Sequence, residues 1–154
     1  MCGIAGILNF DTAHVSETVL KRMTDSIAHR GPDGEGHWIE GNIGIGHRRL
    51  SIIDLSNAGS QPMFSKDKRY VLSYNGEIYN FNEIRLELES KGYQFKSQTD
   101  SEVVLYAFAN WGTDCVKKFN GMFAFAMWDN KEPVSYTHLR AHETPEHRGW
   151  RGGR

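Results

Sequence analysis

The chain has 154 residues, of which 39% are hydrophobic and 24% charged, as expected for one globular domain. Its 18 basic and 19 acidic side chains give a net charge of −1, so a basic surface for nucleic acid is not expected. No apolar run could span a membrane, the N-terminus lacks signal-peptide features, and two cysteines, Cys2 and Cys115, cannot build a disulfide framework. These features favour a cytoplasmic protein that binds neither nucleic acid nor membrane.

The first half of the chain predicts strands around one helix. CGIAGILNF, residues 2–10, is short, apolar and interrupted by glycine, which is typical of a buried strand. Ser16 could cap a helix over residues 17–29, which the Gly-Pro pair at 31–32 would end. The segments HWIE and IGIGHRRLSII flank a Gly-Asn pair at 41–42 and predict a hairpin. RYVLSYN is the next predicted strand.

The second half predicts two long helices, one short helix and two further strands. Asn80 or Asn82 could cap a helix over FNEIRLELESK, and YQFKSQ is a short predicted strand. Thr99 and Glu102 have the spacing of a capping box and open a helix over SEVVLYAFANW. A short helix from Thr113 and a strong apolar strand, MFAFAMW, follow. Strands before and after a helical block predict a layered α+β fold.

The composition changes at Pro133. From there the chain reads PVSYTHLRAHETPEHRGWRGGR, with few apolar residues and no period of 2 or 3.6, which predicts little stable structure. Its histidines, at positions 138, 142 and 147, lie among proline and glycine residues, so no metal site is predicted. We therefore divide the chain into a domain at 1–132 and an unrelated, disordered or artefactual tail at 133–154.

Cys2 is the first residue with candidate chemistry. Removal of Met1 would leave a thiol and a free α-amine on the same residue, and the amine could serve as the base for the thiol. The alternative is a frayed terminus with an incidental cysteine.

Other polar residues complete the requirements of an amide hydrolase. Arg49 could receive a carboxylate, the Asn75 side chain and the Gly76 N–H could hold an oxyanion, and Glu77 and Asp100 could bind an ammonium group. Taken singly, they could equally be a solvated arginine, a hairpin turn and a helix cap. Their combination with Cys2 favours the catalytic interpretation.

Several ordered motifs resemble one family. They are MCGI (1–4), RGPD (30–33), HRRLSI (47–52), QPM (61–63), YNGEIYN (74–80), TDSE (99–102) and GMFAFA (121–126). Together they resemble the N-terminal class II glutamine amidotransferase domain of glutamine-hydrolysing asparagine synthetases. Other class II enzymes share the MCGI opening and match the remaining motifs less well.

The resemblance implies a fold and a set of roles. The fold is the four-layer αββα sandwich of N-terminal-nucleophile hydrolases, here expected to lack its C-terminal strand. Cys2 would attack the glutamine side-chain amide, and Asn75 and Gly76 would hold the oxyanion. The remaining substrate contacts would come from Arg49, Leu50, Ser51, Ile52, Ile53, Glu77 and Asp100.

The resemblance also implies partners and cofactors. Ammonia would pass through an internal tunnel to a synthetase domain that uses ATP and Mg²⁺, whereas this domain would need no metal or cofactor. A homodimer of the full-length protein is one option. The synthetase domain with its pyrophosphate loop is missing from this sequence. The strand with which the family continues after residue 132 is missing too, so we expect an incomplete amidotransferase domain. The alternatives are an inactive fragment that serves as a binding or structural module, or the amidotransferase domain of another class II enzyme.

Overall fold

A computed structural model describes residues 2–52 and 54–132 fully, and the backbone of 134–140. The predicted removal of Met1 and the site prediction for Ile53 lie outside the described residues. The described elements are β1 (Gly3–Leu8), α1 (Glu17–Ser26), β2 (Gly34–Glu40), β3 (Ile43–Arg49), β4 (Met63–Phe64), β5 (Tyr70–Ile78), α2 (Phe81–Ser90), α3 (Asp100–Trp111), β6 (Gly121–Asp129) and β7 (Val134–Arg140). Short 3₁₀ turns cover Ala28–Arg30, Asn57–Gly59 and Gly112–Lys117.

The strands form two antiparallel sheets. The first has the order β1-β3-β2, and the second has the order β4-β5-β6-β7. Helix α1 packs on the first sheet, and α3, which contacts α2, packs on the second, so that the two sheets face each other between helical layers. This is the αββα arrangement that the family resemblance implies.

Two hydrophobic clusters hold these layers together. A smaller one fills the space between the sheets and consists of Ile43, Ile45, Val71 and Trp128, with Leu8 and Trp38 packed against it. The larger cluster joins the second sheet to α2 and α3. Helix α3 is buried along most of its length because it lies on β5. Within the described ranges, no helix is long and apolar enough to cross a membrane.

Most predicted elements are confirmed, but residues 93–98 do not form the predicted strand. The backbone N–H groups of Lys96 and Ser97 donate instead to the Glu102 carboxylate, at 3.0 and 2.7 Å. The predicted cap at Thr99 is present, since its hydroxyl accepts from the Glu102 N–H at 3.3 Å. Glu102 therefore takes the backbone donors that a neighbouring strand would otherwise have bound.

The expectation of little regular structure after residue 132 is wrong for Val134–Arg140. This segment forms β7, which pairs with β6 from Val134 opposite Asp129 to Arg140 opposite Phe123. Val, Tyr and Thr favour strands, and the edge of β6 offers unpaired backbone groups that β7 satisfies. Apolar periodicity is a poor guide to such an edge strand. The domain boundary itself stays a prediction.

Burial of His47 predicts a loss of stability in acid. His47 on β3 is fully buried, donates from Nε2 to the Tyr74 carbonyl at 3.0 Å, and has no described partner for Nδ1. Desolvation lowers the pKa of His47 from 6.5 to about 4. Between these values the unfolded chain binds a proton that the folded chain does not, so stability should fall as the pH falls, by about 1.4 kcal/mol per unit at most.

Urea unfolding at pH 7 and at pH 4.5 measures this effect. In His47→Gln the free energy of unfolding should change less steeply with pH, because unfolding takes up about one proton fewer. His14→Gln, which changes an exposed histidine, should show the pH dependence of the wild type. Equal slopes in all three proteins would show that His47 does not remain neutral in the fold.

Candidate active site

The predicted site residues meet in one cavity of about 170 Å³, which is lined by residues of both sheets and of α3. Cys2 lies just before β1, Arg49 ends β3, Asn75 to Glu77 lie within β5, and Asp100 begins α3. The cavity is lined by the described predicted residues, which are Cys2, Arg49, Leu50, Ser51, Ile52, Asn75, Gly76, Glu77 and Asp100. Their roles in the reaction stay predictions.

Cys2 is held against the chain that follows β3. Its Sγ accepts a hydrogen bond from the Leu50 N–H at 3.3 Å and lies 3.7 Å from the Leu50 carbonyl oxygen. The Cys2 carbonyl accepts from Arg30 Nε at 3.1 Å. The thiol is therefore anchored by backbone and side-chain contacts instead of lying on a frayed end.

The RGPD turn fixes the same region from the other side. Asp33 donates from its N–H to the Arg49 carbonyl at 3.0 Å, and its carboxylate accepts from the Ser51 N–H at 2.8 Å. Gly31 lies so close to the backbone of Arg48 and Arg49 that a Cβ there would overlap it. This turn thus sets where the segment after β3 leaves the sheet and passes the thiol.

Arg49 organises the loop at the mouth of the cavity. Its guanidinium donates to the carbonyl oxygen of Ser56 at 2.8 Å and to that of Asp54. The Asp54 carboxylate in turn accepts from the Gln98 N–H at 3.3 Å. A guanidinium has five N–H groups, so these two bonds leave donors for a ligand carboxylate. Arg49 lines the same cavity as Glu77 and Asp100. The cavity wall therefore carries both positive and negative side chains.

Asn75 and Gly76 belong to a strand and not to the turn that an Asn-Gly pair could indicate. In β5 they lie opposite Ala124 and Phe123 of β6. The Tyr74 N–H donates to Gln61 Oε1 at 2.6 Å, and the Ile78 N–H donates to Asp100 Oδ2 at 3.1 Å. Because strand N–H groups alternate in direction, the Gly76 N–H points to the same edge, between these two bonds, where the cavity lies.

Substituting Gly76 should disrupt both the fold and the site. A Cβ at this position would lie 2.5 Å from the Met122 carbonyl oxygen and 2.6 Å from the Phe123 Cα, and both are backbone atoms of β6. We expect Gly76→Ala to lower the free energy of unfolding by about 2 kcal/mol or more, because the strands must separate. Thermal or urea unfolding measures this loss.

Gly6→Ala is the matched control. Its Cβ would meet only the Gly44 carbonyl oxygen, at 3.6 Å, an ordinary contact. This variant should unfold within about 0.5 kcal/mol of the wild type. Similar stabilities for the two variants would contradict the close approach of β5 and β6.

Asp100 is a buried carboxyl group held by β5. Its side chain is 5% exposed, and Oδ2 accepts from the Tyr74 hydroxyl at 2.7 Å as well as from the Ile78 N–H. Burial raises the pKa of Asp100, and these hydrogen bonds act in the opposite direction by stabilising the charged form. Burial and the nearby Asp100 raise the pKa of Tyr74, so its hydroxyl stays a donor.

The structure adds residues to which the sequence analysis gave no role in the site. Gln61 and Tyr74 occur in the quoted motifs QPM and YNGEIYN, and both line the cavity. Their position in these motifs was the available signal, but only the fold shows that they contact each other. Asp54, Gly59, Thr99, Ser101 and Met122 also line the cavity.

No metal-binding arrangement occurs among the side chains that the structure describes, where no cluster of three or more His, Cys, Asp or Glu residues is found. The side chains of the histidines at 138, 142 and 147 lie outside those described. The expectation that this domain needs no cofactor stays a prediction.

The αββα sandwich with an anchored cysteine just before β1 is the architecture expected of N-terminal-nucleophile hydrolases. A family model described as "Glutamine amidotransferase domain" matches residues 1–139, seven residues beyond the predicted domain boundary. The chain belongs to this glutamine amidotransferase family.

Individual relatives agree with this assignment. The chain is 43% identical over 140 residues to asparagine synthetase [glutamine-hydrolyzing] 1 of Bacillus subtilis. The matched stretch covers 88% of this chain and 22% of that protein. It is 37% identical over 134 residues to asparagine synthetase B [glutamine-hydrolyzing] of Escherichia coli, covering 86% and 24%. The chain thus spans less than a quarter of the length of these two relatives.

A solved structure supports the fold. Glutamine phosphoribosylpyrophosphate amidotransferase from B. subtilis, complexed with ADP and GMP, superimposes with a TM-score of 0.70 at 19% identity. The superposition covers 83% of this chain and 35% of that one. At this identity the likeness bears on the fold alone, and it confirms the expected αββα sandwich.

Proposed function

We propose that this chain hydrolyses glutamine to glutamate and ammonia through a thioester on Cys2. The observation that carries the proposal is that an anchored thiol, Arg49 and Asp100 meet in the same cavity. A cation and a carboxylate in one small cavity complement the α-carboxylate and α-ammonium of an amino acid, and the thiol supplies the nucleophile.

The reaction begins after removal of Met1, which frees the Cys2 α-amine as the base. Sγ gives its proton to this amine and attacks the carbon of the glutamine side-chain amide. The Asn75 side chain and the Gly76 N–H stabilise the negative oxygen of the tetrahedral intermediate; loss of one such donor typically costs about 3 kcal/mol. The amine returns the proton to the leaving nitrogen, and ammonia departs.

The second half of the reaction releases glutamate. Water gives a proton to the α-amine and attacks the thioester carbon, after which the carbon–sulfur bond breaks and the thiol is restored. Throughout, Arg49 pairs with the substrate carboxylate, while Asp100 and Glu77 bind its ammonium group. Leu50, Ser51 and Ile52 form one wall of the cavity. We include Ile53 in that wall on the family resemblance.

We further propose that the ammonia serves a synthetase domain, as in the asparagine synthetases to which the chain is similar. ATP and Mg²⁺ would act in that domain, and no cofactor would act in this one. The two free cysteines suit a reducing cytoplasmic setting. We propose neither nucleic acid nor membrane as a partner. A homodimer of the full-length protein stays an option.

A glutaminase assay on the 154-residue chain tests the proposal. Purified protein should release equal amounts of ammonia and glutamate from glutamine, and its mass should show Met1 absent. Asparagine, one methylene shorter, is the matched control substrate and should be hydrolysed much more slowly. Glutamine binding without ammonia release would instead favour the inactive binding module.

A further inference from the structure

Along the edge of β5 that faces the cavity, side chains and not a neighbouring strand accept hydrogen bonds from the backbone N–H groups. Strand β4 pairs with β5 only at Met63 and Phe64, opposite Leu72 and Val71. Continued register places Gln61 opposite Tyr74, and the Gln61 side chain takes over the pairing by accepting from the Tyr74 N–H at 2.6 Å.

A further hydrogen bond, the anchoring of Gln61 and deep burial hold Tyr74 in place. Its carbonyl accepts from His47 Nε2 at 3.0 Å, which ties it to the first sheet. Gln61 donates to Ser101 Oγ at 3.3 Å, which ties the same region to the first turn of α3. The Tyr74 side chain is 2% exposed, so its hydroxyl has little freedom to turn away from its acceptor.

That acceptor is Asp100 Oδ2, the same oxygen that receives the Ile78 N–H. Two donors from β5, one side chain and one backbone group, therefore fix the rotation of the Asp100 carboxylate. A carboxylate that is 5% exposed also needs such donors to remain charged, and only a charged carboxylate can pair with an ammonium group.

We propose that Tyr74 is a positioning residue for substrate recognition: its hydroxyl orients Asp100 and keeps it charged, and thereby selects substrates with an α-ammonium group. The inference rests on the proposed function, because Asp100 is taken as the group that binds the glutamine ammonium. It goes beyond that function by placing the selectivity in a residue that acts on the substrate through Asp100.

Tyr74→Phe tests the proposal because it removes only the hydroxyl. The readout is kcat/KM for glutamine divided by kcat/KM for 5-amino-5-oxopentanoate, which is glutamine without its α-amine. We expect this ratio to fall about 10-fold, because a hydrogen bond to a charged group is lost, and to fall through a higher KM for glutamine. The control is Tyr106→Phe, which alters a buried tyrosine of α3 outside the cavity and should leave the ratio unchanged.

The outcomes separate positioning from a structural role. An equal fall for both substrates would make Tyr74 a structural residue, and an unchanged ratio would make its hydroxyl dispensable; either result overturns the proposal. Asp100→Asn should also lower the ratio, and adding Tyr74→Phe to it should lower the ratio no further, since both changes act through one carboxylate.

A binding measurement keeps this test independent of catalysis. In a Cys2→Ala background, calorimetry can compare the affinities for glutamine and for 5-amino-5-oxopentanoate with and without the Tyr74 hydroxyl. The preference for glutamine should again fall about 10-fold. If the wild type binds glutamine without hydrolysing it, the proposed function fails, whereas the role of Tyr74 is still decided by this ratio.

Discussion

Replacing Cys2 by alanine should abolish ammonia release from glutamine, with a fall in kcat of about 10⁴-fold or more, because no other group can form the thioester. The fold should survive, since the thiol contributes only its contacts with the Leu50 peptide group. A coupled ammonia assay and thermal unfolding of the same samples measure the two effects.

Cys115→Ala is the matched control for this change. Cys115 is fully buried in the larger hydrophobic cluster, and burial raises the pKa of its thiol to about 12, which keeps it protonated and unreactive. This variant should lose about 1 kcal/mol of stability and keep its kcat within about twofold. Glutaminase activity that survived Cys2→Ala would exclude the thioester mechanism.

The strands and helices that bury a face were predictable from the sequence, and the segments whose structure depends on a partner were not. β1, β3 and β6 carry long apolar or glycine-punctuated runs, and all three strands are present. Residues 93–98 have the composition of a strand, but the Glu102 carboxylate binds their backbone donors. β7 has no apolar period, yet it pairs with the open edge of β6. In both cases a partner outside the segment decides its structure.

The same distinction applies to the site. Residues with distinctive chemistry, such as Cys2, Arg49 and Asp100, could be selected by side-chain type and motif, and they do line one cavity. The contributions of Gln61 and Tyr74 could not be predicted from the sequence. Their hydrogen bond depends on the register of β4 and β5, which the sequence alone does not give. Side chains that position other side chains are therefore the part of a site that sequence motifs reveal least.

Arg49→Lys should lower kcat/KM for glutamine by about 100-fold. A guanidinium can form two parallel hydrogen bonds to a carboxylate, and an ammonium group cannot reproduce that fork. Arg49 also donates to the carbonyl oxygens of Asp54 and Ser56, so a general loosening of the loop must be distinguished from loss of the substrate contact. Steady-state assays with glutamine and with 4-aminobutanamide, which is glutamine without its α-carboxylate, make that distinction.

Loss of the carboxylate contact should reduce the use of glutamine and leave the slow use of 4-aminobutanamide nearly unchanged in Arg49→Lys. Loosening of the loop should reduce both alike. Arg48→Lys is the matched control, because Arg48 pairs with Asp25 and Glu35 outside the cavity, so its substitution should change neither activity more than about twofold. If Arg49→Lys lowers both activities equally, Arg49 acts by holding the loop over residues 54–56, and the substrate carboxylate must bind elsewhere in the cavity.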